Sequence, residues 1–75
     1  MSFMKYLVTY EQGPTSWGAT VPDLDVFSVG KTFEEAQENV KEAIQCQIEG
    51  LIKLGLPVPE PTTLAIEYVE VALAG

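Results

Sequence analysis

Gly30-Lys31-Thr32-Phe33-Glu34-Glu35-Ala36 is the segment that decides the fold, because it marks the passage from a strand into a helix. Thr32 and Glu35 have the spacing of a capping box. In that motif the Thr32 hydroxyl accepts from the Glu35 N–H, and the Glu35 carboxylate accepts from the Thr32 N–H. Glu34 and Glu35 also suit the positive end of a helix dipole. The segment therefore predicts a helix that begins at Phe33, directly after a strand.

The predicted helix runs to about Leu54, with Gly55 as its C-terminal cap. Its apolar residues recur at helical spacing and form one broad stripe: Phe33, Ala36, Val40, Ala43, Ile44, Ile48, Leu51 and Ile52. On the flank of this stripe, Ala36, Ala43 and Gly50 favour a close approach of the helix to a sheet. An amphipathic helix of this kind needs an apolar layer beneath it.

Three strands are predicted before the helix. Apolar and polar residues alternate over Met4–Glu11 and again over Ser16–Val21, and residues 12–15 between them have turn chemistry. Pro22 cannot donate a ladder hydrogen bond, so the second strand ends there. The short apolar run Val26–Val29 predicts the third strand.

After the helix, three prolines at 57, 59 and 61 forbid helix and predict an extended segment. Leu64–Leu73 is rich in apolar and β-branched residues and predicts a final strand. Both faces of that strand are apolar, which favours burial on both sides in an oligomer contact. The predicted fold is a small α+β domain of order β-β-β-α-β, with an antiparallel sheet and one long helix packed on it. The 75 residues allow a single domain, 1–75.

Composition limits the function. The chain carries 11 acidic and 4 basic residues, a net charge of −7, which disfavours direct binding to nucleic acid and favours a basic protein partner. It has no histidine, the commonest general base and metal ligand. The absence of a membrane-spanning run or a signal-peptide pattern, and the single Cys46, predict a cytoplasmic protein without membrane contact. We expect no enzymatic activity and no cofactor.

Few residues offer chemistry of their own. Asp23 and Asp25 could hold a divalent cation, but no third ligand is placed with them, so solvated turn residues are the favoured interpretation. Trp17 fits either an interface anchor or a core residue. Gly30-Lys31-Thr32 matches the end of a phosphate-binding loop but lacks its upstream glycine. Catalytic, cofactor and metal residues are therefore not predicted.

The order and spacing of these segments resemble the HicB-like antitoxin family, the antitoxin half of a two-protein toxin–antitoxin system. The shared pattern covers almost the whole chain and consists of Tyr6, Tyr10, Trp17, Gly18, Val21-Pro22-Asp23-Leu24, Ser28, Gly30, Thr32, Glu35, Ala36, Asn39, Lys41, Glu42, Ala43 and Gly55-Leu56-Pro57-x-Pro59-x-Pro61. The chain departs from the pattern at Asp25-Val26, where the family has Pro-Gly, and at Lys31, where it has an acidic residue.

The resemblance implies a trimmed RNase H-like β-β-β-α-β fold without nuclease activity. It also implies binding to a small, basic HicA-like mRNA interferase and blocking of its active site. Many members add a C-terminal DNA-binding segment; because this sequence ends at Gly75, soon after the predicted final strand, we expect no such domain. The candidate partner-binding residues are Trp17, Asp23, Asp25, Phe27, Glu34 and Glu38.

We expect a homo-oligomer, because a domain of 75 residues gains stability from burying more surface. Two alternatives to an antitoxin stay open on the sequence. One is an orphan, self-assembling interaction module without a toxin partner. The other is a metal-dependent nuclease that uses the carboxylates of Asp23 and Asp25.

Overall fold

The structure, a computed structural model, describes residues 3–74. Its elements in chain order are β1 (Thr9–Gln12), β2 (Trp17–Val21), a 3-10 turn (Pro22–Leu24), β3 (Val26–Gly30) and α1 (Phe33–Lys53). The strands form one antiparallel sheet in the order β1-β2-β3, and α1 packs on one of its faces. The predicted α+β fold, an antiparallel sheet with one long helix packed on it, is confirmed.

The core is small and lies where the first half of α1 crosses β2 and β3. In the sheet Tyr10 is opposite Ala19, and Val21 is opposite Val26. Strand alternation turns all four side chains toward the helix. The buried apolar residues are Ala19, Val21, Leu24, Val26, Ala36 and Val40. The two that α1 contributes, Ala36 and Val40, lie in its first half.

Both ends of α1 are capped. The Glu35 N–H donates to the Thr32 hydroxyl at 3.1 Å, as predicted. The return bond differs by one residue, because the Glu35 carboxylate accepts from the N–H of Lys31 at 3.2 Å rather than from that of Thr32. At the other end Gly55 has a φ of +70°. The Gly55 N–H donates to the carbonyl of Ile52 and the Leu56 N–H to that of Leu51, which is a Schellman motif.

Gly30 allows β3 and α1 to touch. A β-carbon at Gly30 would stand 2.4 Å from the backbone nitrogen of Ala36, so only glycine fits there without a shift of the helix. The same role predicted for Gly50 is wrong, since a β-carbon at Gly50 would meet nothing within 4 Å. Strands of four or five residues span roughly 15 Å, whereas the helix is about twice as long. The second half of α1 therefore extends past the paired strands.

The first strand is shorter than predicted. The ladder of β1 begins at Thr9, which lies opposite Thr20, and residues 4–8 precede it. Since β2 ends at Val21 before Pro22, nearly all of that stretch lies beyond the end of its neighbour and has no strand to bond with.

The predicted final strand, Leu64–Leu73, is wrong within the single chain. Residues 56–74 contain no helix or strand, and every residue of 64–74, hereafter the arm, is exposed. A strand requires a neighbour that accepts and donates its backbone hydrogen bonds. In the described part of the chain the arm has no such neighbour, although its apolar composition remains that of a strand.

Candidate partner-binding surface

The outer face of the sheet is the face opposite α1. Strand register places two rows of residues on it: Thr9, Thr20 and Phe27 in one, and Glu11, Gly18 and Val29 in the other. Phe27 is 66% exposed and Val29 is 51% exposed. A sheet whose single helix covers the opposite face thus presents an apolar strip along β3 to solvent.

Phe27 is held in place by its neighbour on β2. A β-carbon at Gly18 would stand 3.2 Å from the Phe27 ring, so the ring lies across the glycine. The absence of a side chain at Gly18 lets the aromatic ring rest against the sheet. An exposed aromatic ring that already rests against the sheet needs less ordering on binding than a freely moving one.

Acidic residues lie beside the strip and also on the helix layer. Glu11 lies on the same face as Val29, and Asp25 is exposed in the loop that leads into β3. Asp25 adopts a left-handed φ of 53°, which ends the 3-10 turn and starts the strand. Two residues along an α-helix correspond to a rotation of about 200°. Glu34 and Glu38 are each two residues from the buried Ala36, so they are exposed on the side of α1 that faces away from the sheet. Negative charge therefore covers both layers of the domain.

The predicted partner-binding residues do not form one patch. Asp25 and Phe27 lie together near the start of β3, and Glu34 and Glu38 share the solvent side of α1. Trp17 is half-buried on the opposite face from Phe27, with its ring centroid 5.2 Å from that of Phe33. Packing between β2 and the first turn of α1 is thus the evident structural role of Trp17.

The Asp23 carboxylate binds the chain itself. It accepts from the N–H groups of Thr62 and Thr63 at 3.1 and 3.0 Å, and from their hydroxyls at 2.8 and 3.0 Å. This Asp23 clamp fixes the segment after α1 against the 3-10 turn. Tyr6 adds a second anchor by donating its hydroxyl to the carbonyl of Pro59. No three Cys, Asp or Glu residues within 3–74 come together as metal ligands.

Sequence reasoning missed two features of this surface. In the Asp23 clamp, Thr62 and Thr63 follow Asp23 by 39 and 40 positions in the sequence, and no local pattern signals such a distant pairing. The residues of the outer face could have been found from strand parity, since Gly18 and Thr20 alternate with Trp17, Ala19 and Val21 along β2.

The clamp makes stability depend on pH. Hydrogen bonds from the backbone of Thr63, then from the hydroxyl of Thr62, lower the pKa of Asp23 below its ordinary 3.8. The folded-state pKa is thus lower than the unfolded one. The contribution of the clamp is complete above pH 3.8 and is lost as pH falls through the folded-state pKa.

Asp23→Asn is expected to lower the midpoint of thermal unfolding at neutral pH, because the amide offers one acceptor oxygen where the carboxylate offers two. The variant should also lose part of the acid sensitivity of the wild type. Thermal unfolding followed by circular dichroism at about pH 7 and about pH 3 checks both effects. Asp25→Asn is the matched control. Equal melting temperatures for wild type and Asp23→Asn at neutral pH would contradict a stabilising clamp.

Comparison with known proteins identifies the family. The model of the HicB-like antitoxin of bacterial toxin–antitoxin systems matches residues 6–73. Searches of curated proteins and of solved structures found no significant match. None of the helices in residues 3–74 is long and apolar enough to cross a membrane. The family match includes all three strands, α1 and both sides of the Asp23 clamp, and on that basis the chain belongs to the HicB-like antitoxin family.

Proposed function

We propose that this protein is a non-enzymatic antitoxin that binds a small, basic HicA-like mRNA interferase and blocks its active site. Family membership implies a toxin partner. The observation that carries the proposal is the exposed pair Phe27 and Val29 on an uncovered sheet face, with Glu11 on the same face and Asp25 in the adjoining loop. Contact occurs through protein surfaces alone, in the cytoplasm, without a cofactor and without direct binding to nucleic acid.

The surface combines two kinds of contact. Phe27 and Val29 supply apolar area that is withdrawn from water on binding. The net charge of −7, including Asp25, Glu34 and Glu38, attracts a basic partner over a distance and speeds association. An RNA-cleaving enzyme carries basic residues where it holds its substrate, so an acidic inhibitor is drawn toward that site.

The association rate is expected to fall at least tenfold between about 0.01 M and 1 M salt, since the screening length shrinks from about 30 Å to about 3 Å. Neutralising Glu34 and Glu38 together by Glu→Gln substitution should reduce both the rate at low salt and its salt dependence. The same substitutions at Glu60 and Glu70, which are exposed and lie outside α1, remove equal charge elsewhere and serve as the control. Stopped-flow or biosensor kinetics gives the rates. Identical kinetics for the two double variants would contradict recognition through this side of α1.

The partner can be identified by recovering it. The tagged chain is purified from its own cells at low salt, eluted at high salt and analysed by mass spectrometry. A small basic protein released by salt, with RNA-cleaving activity that the chain suppresses, is the expected result. Recovery of the chain with copies of itself alone would count against a toxin partner.

That second result would favour the other candidate, an orphan self-assembling interaction module. Its supporting observation is the exposed apolar arm, which an inhibitor of a toxin does not by itself require. The two functions differ in whether the purified assembly contains any chain besides this one.

A further inference from the structure

With the arm extended, the chain has a larger accessible surface and a larger radius of gyration than a compact monomer of its size. The chain of 8.2 kDa has an accessible surface of 6370 Å², against about 4,500 Å² for folded monomers of that mass. Its radius of gyration is 15.1 Å, against roughly 11 Å for a compact domain of 75 residues. The chain thus exposes about 1,900 Å² more than a compact fold does.

Much of this extra surface lies on the arm. Its large apolar side chains are more than half exposed: Leu64, Ile66, Tyr68, Val69, Val71 and Leu73. They occupy both faces of an extended chain, so a strand on the border of a two-layer domain would bury one set and leave the other in water. Where two domains meet at such a strand, the second domain covers the set that the first one leaves in water.

The edge of β1 has room for such a segment. At the β3 edge of the sheet, the side chain of Asn39 donates to the carbonyl of Val29 at 2.8 Å, so this backbone acceptor already has a partner. The arm passes the β1 edge near Ile66–Tyr68 without forming a ladder, and a gap of about 270 Å³ lies there, bordered also by Val8–Tyr10. The arm has eleven residues, which is more than enough to pair with all four residues of β1.

We propose that the arms of two copies are exchanged, each adding as a strand along the β1 edge of the other copy. The Asp23 clamp holds the base of the arm at Thr62 and Thr63, and the exchange hinge follows directly at residues 64–65. Edge and arm belong to the same chain, so two reciprocal exchanges close a two-fold dimer. The extra surface of two copies, about 3,800 Å², is within the range buried by obligate homodimers.

The proposal requires no toxin, so its outcome is independent of the proposed function. Light scattering and sedimentation of the purified full chain are expected to give twice the 8.2 kDa chain mass. Val69→Lys combined with Val71→Lys should shift the mass to that of a monomer while the helical circular dichroism signal stays unchanged, because both side chains lie outside α1 and outside the core. A wild-type chain that is monomeric throughout would overturn the proposal.

Cross-linking separates an exchanged arm from one that returns to its own domain. Thr9→Cys and Glu67→Cys, which flank the gap at β1, are combined in one chain in a Cys46→Ser background and treated with a short bismaleimide. Exchange predicts covalent dimers. It also predicts a mixed product when the two single variants, one carrying a mass tag, are combined and cross-linked. Cross-links confined within single chains would overturn the proposal even if the protein were dimeric.

Discussion

Replacing Phe27 with alanine is expected to weaken binding of a HicA-like toxin about 30-fold or more, which corresponds to a loss of about 2 kcal/mol. The ring is 66% exposed in the free protein and rests on Gly18, so its removal subtracts apolar contact area from the interface without opening a cavity in the core. The fold should therefore survive the substitution. Isothermal titration calorimetry of the two proteins measures the loss directly.

Leu54→Ala is the matched control for Phe27→Ala. Leu54 is 75% exposed at the C-terminal end of α1, so a comparable apolar side chain is removed outside the outer face of the sheet. Its affinity should stay within about twofold of wild type, since surface residues outside an interface centre contribute little. Equal affinities for wild type and Phe27→Ala would exclude the outer face as the centre of the interface.

Gly30→Ala is expected to destabilise the fold by about 2 kcal/mol or more, because the added methyl group would overlap the backbone of Glu35 and Ala36. Neither backbone can yield as a flexible side chain would, so β3 and the first turn of α1 must separate. Urea denaturation followed by circular dichroism measures the change. All variants are compared at one protein concentration, because the stability of any protein that associates depends on concentration.

Gly50→Ala carries the same chemical change at a position where an added β-carbon meets nothing within 4 Å. There the substitution should stabilise the protein by about 1 kcal/mol, through the higher helix propensity of alanine. The two glycines thus have opposite expected signs. If both variants were destabilised to the same extent, close contact between Gly30 and the helix could not be the cause.

Local signals made much of the fold predictable. The bounds of α1 follow from the capping box at Thr32 and the glycine cap at Gly55, each of which acts within a few residues. The alternation predicted over Ser16–Val21 places Trp17, Ala19 and Val21 on one face, and β2 keeps it because the strand is paired on both sides. These features depend on local backbone hydrogen bonds and on the alternation of side chains along a strand, and both can be recognised from a few consecutive residues.

Features that depend on distant partners were not predictable in the same way. The Asp23 clamp joins the 3-10 turn to Thr62 and Thr63, and neither segment signals the other. The apolar pattern of Leu64–Leu73 has the composition of a strand, but a strand exists only where a neighbouring backbone bonds to it. Likewise the small size of Gly50 predicted close packing against the sheet. The sheet ends before it reaches this part of α1, so a β-carbon at Gly50 would meet nothing within 4 Å.

The most direct test of antitoxin function is an RNA-cleavage assay with a HicA-like toxin from the same cells and increasing amounts of the wild-type chain. Cleavage should stop when the chain reaches the molar amount of toxin, and Phe27→Ala should require a clear excess. Leu54→Ala should match the wild type. Cleavage that continues at its full rate in the presence of excess folded wild-type chain would contradict the proposed neutralisation of the toxin.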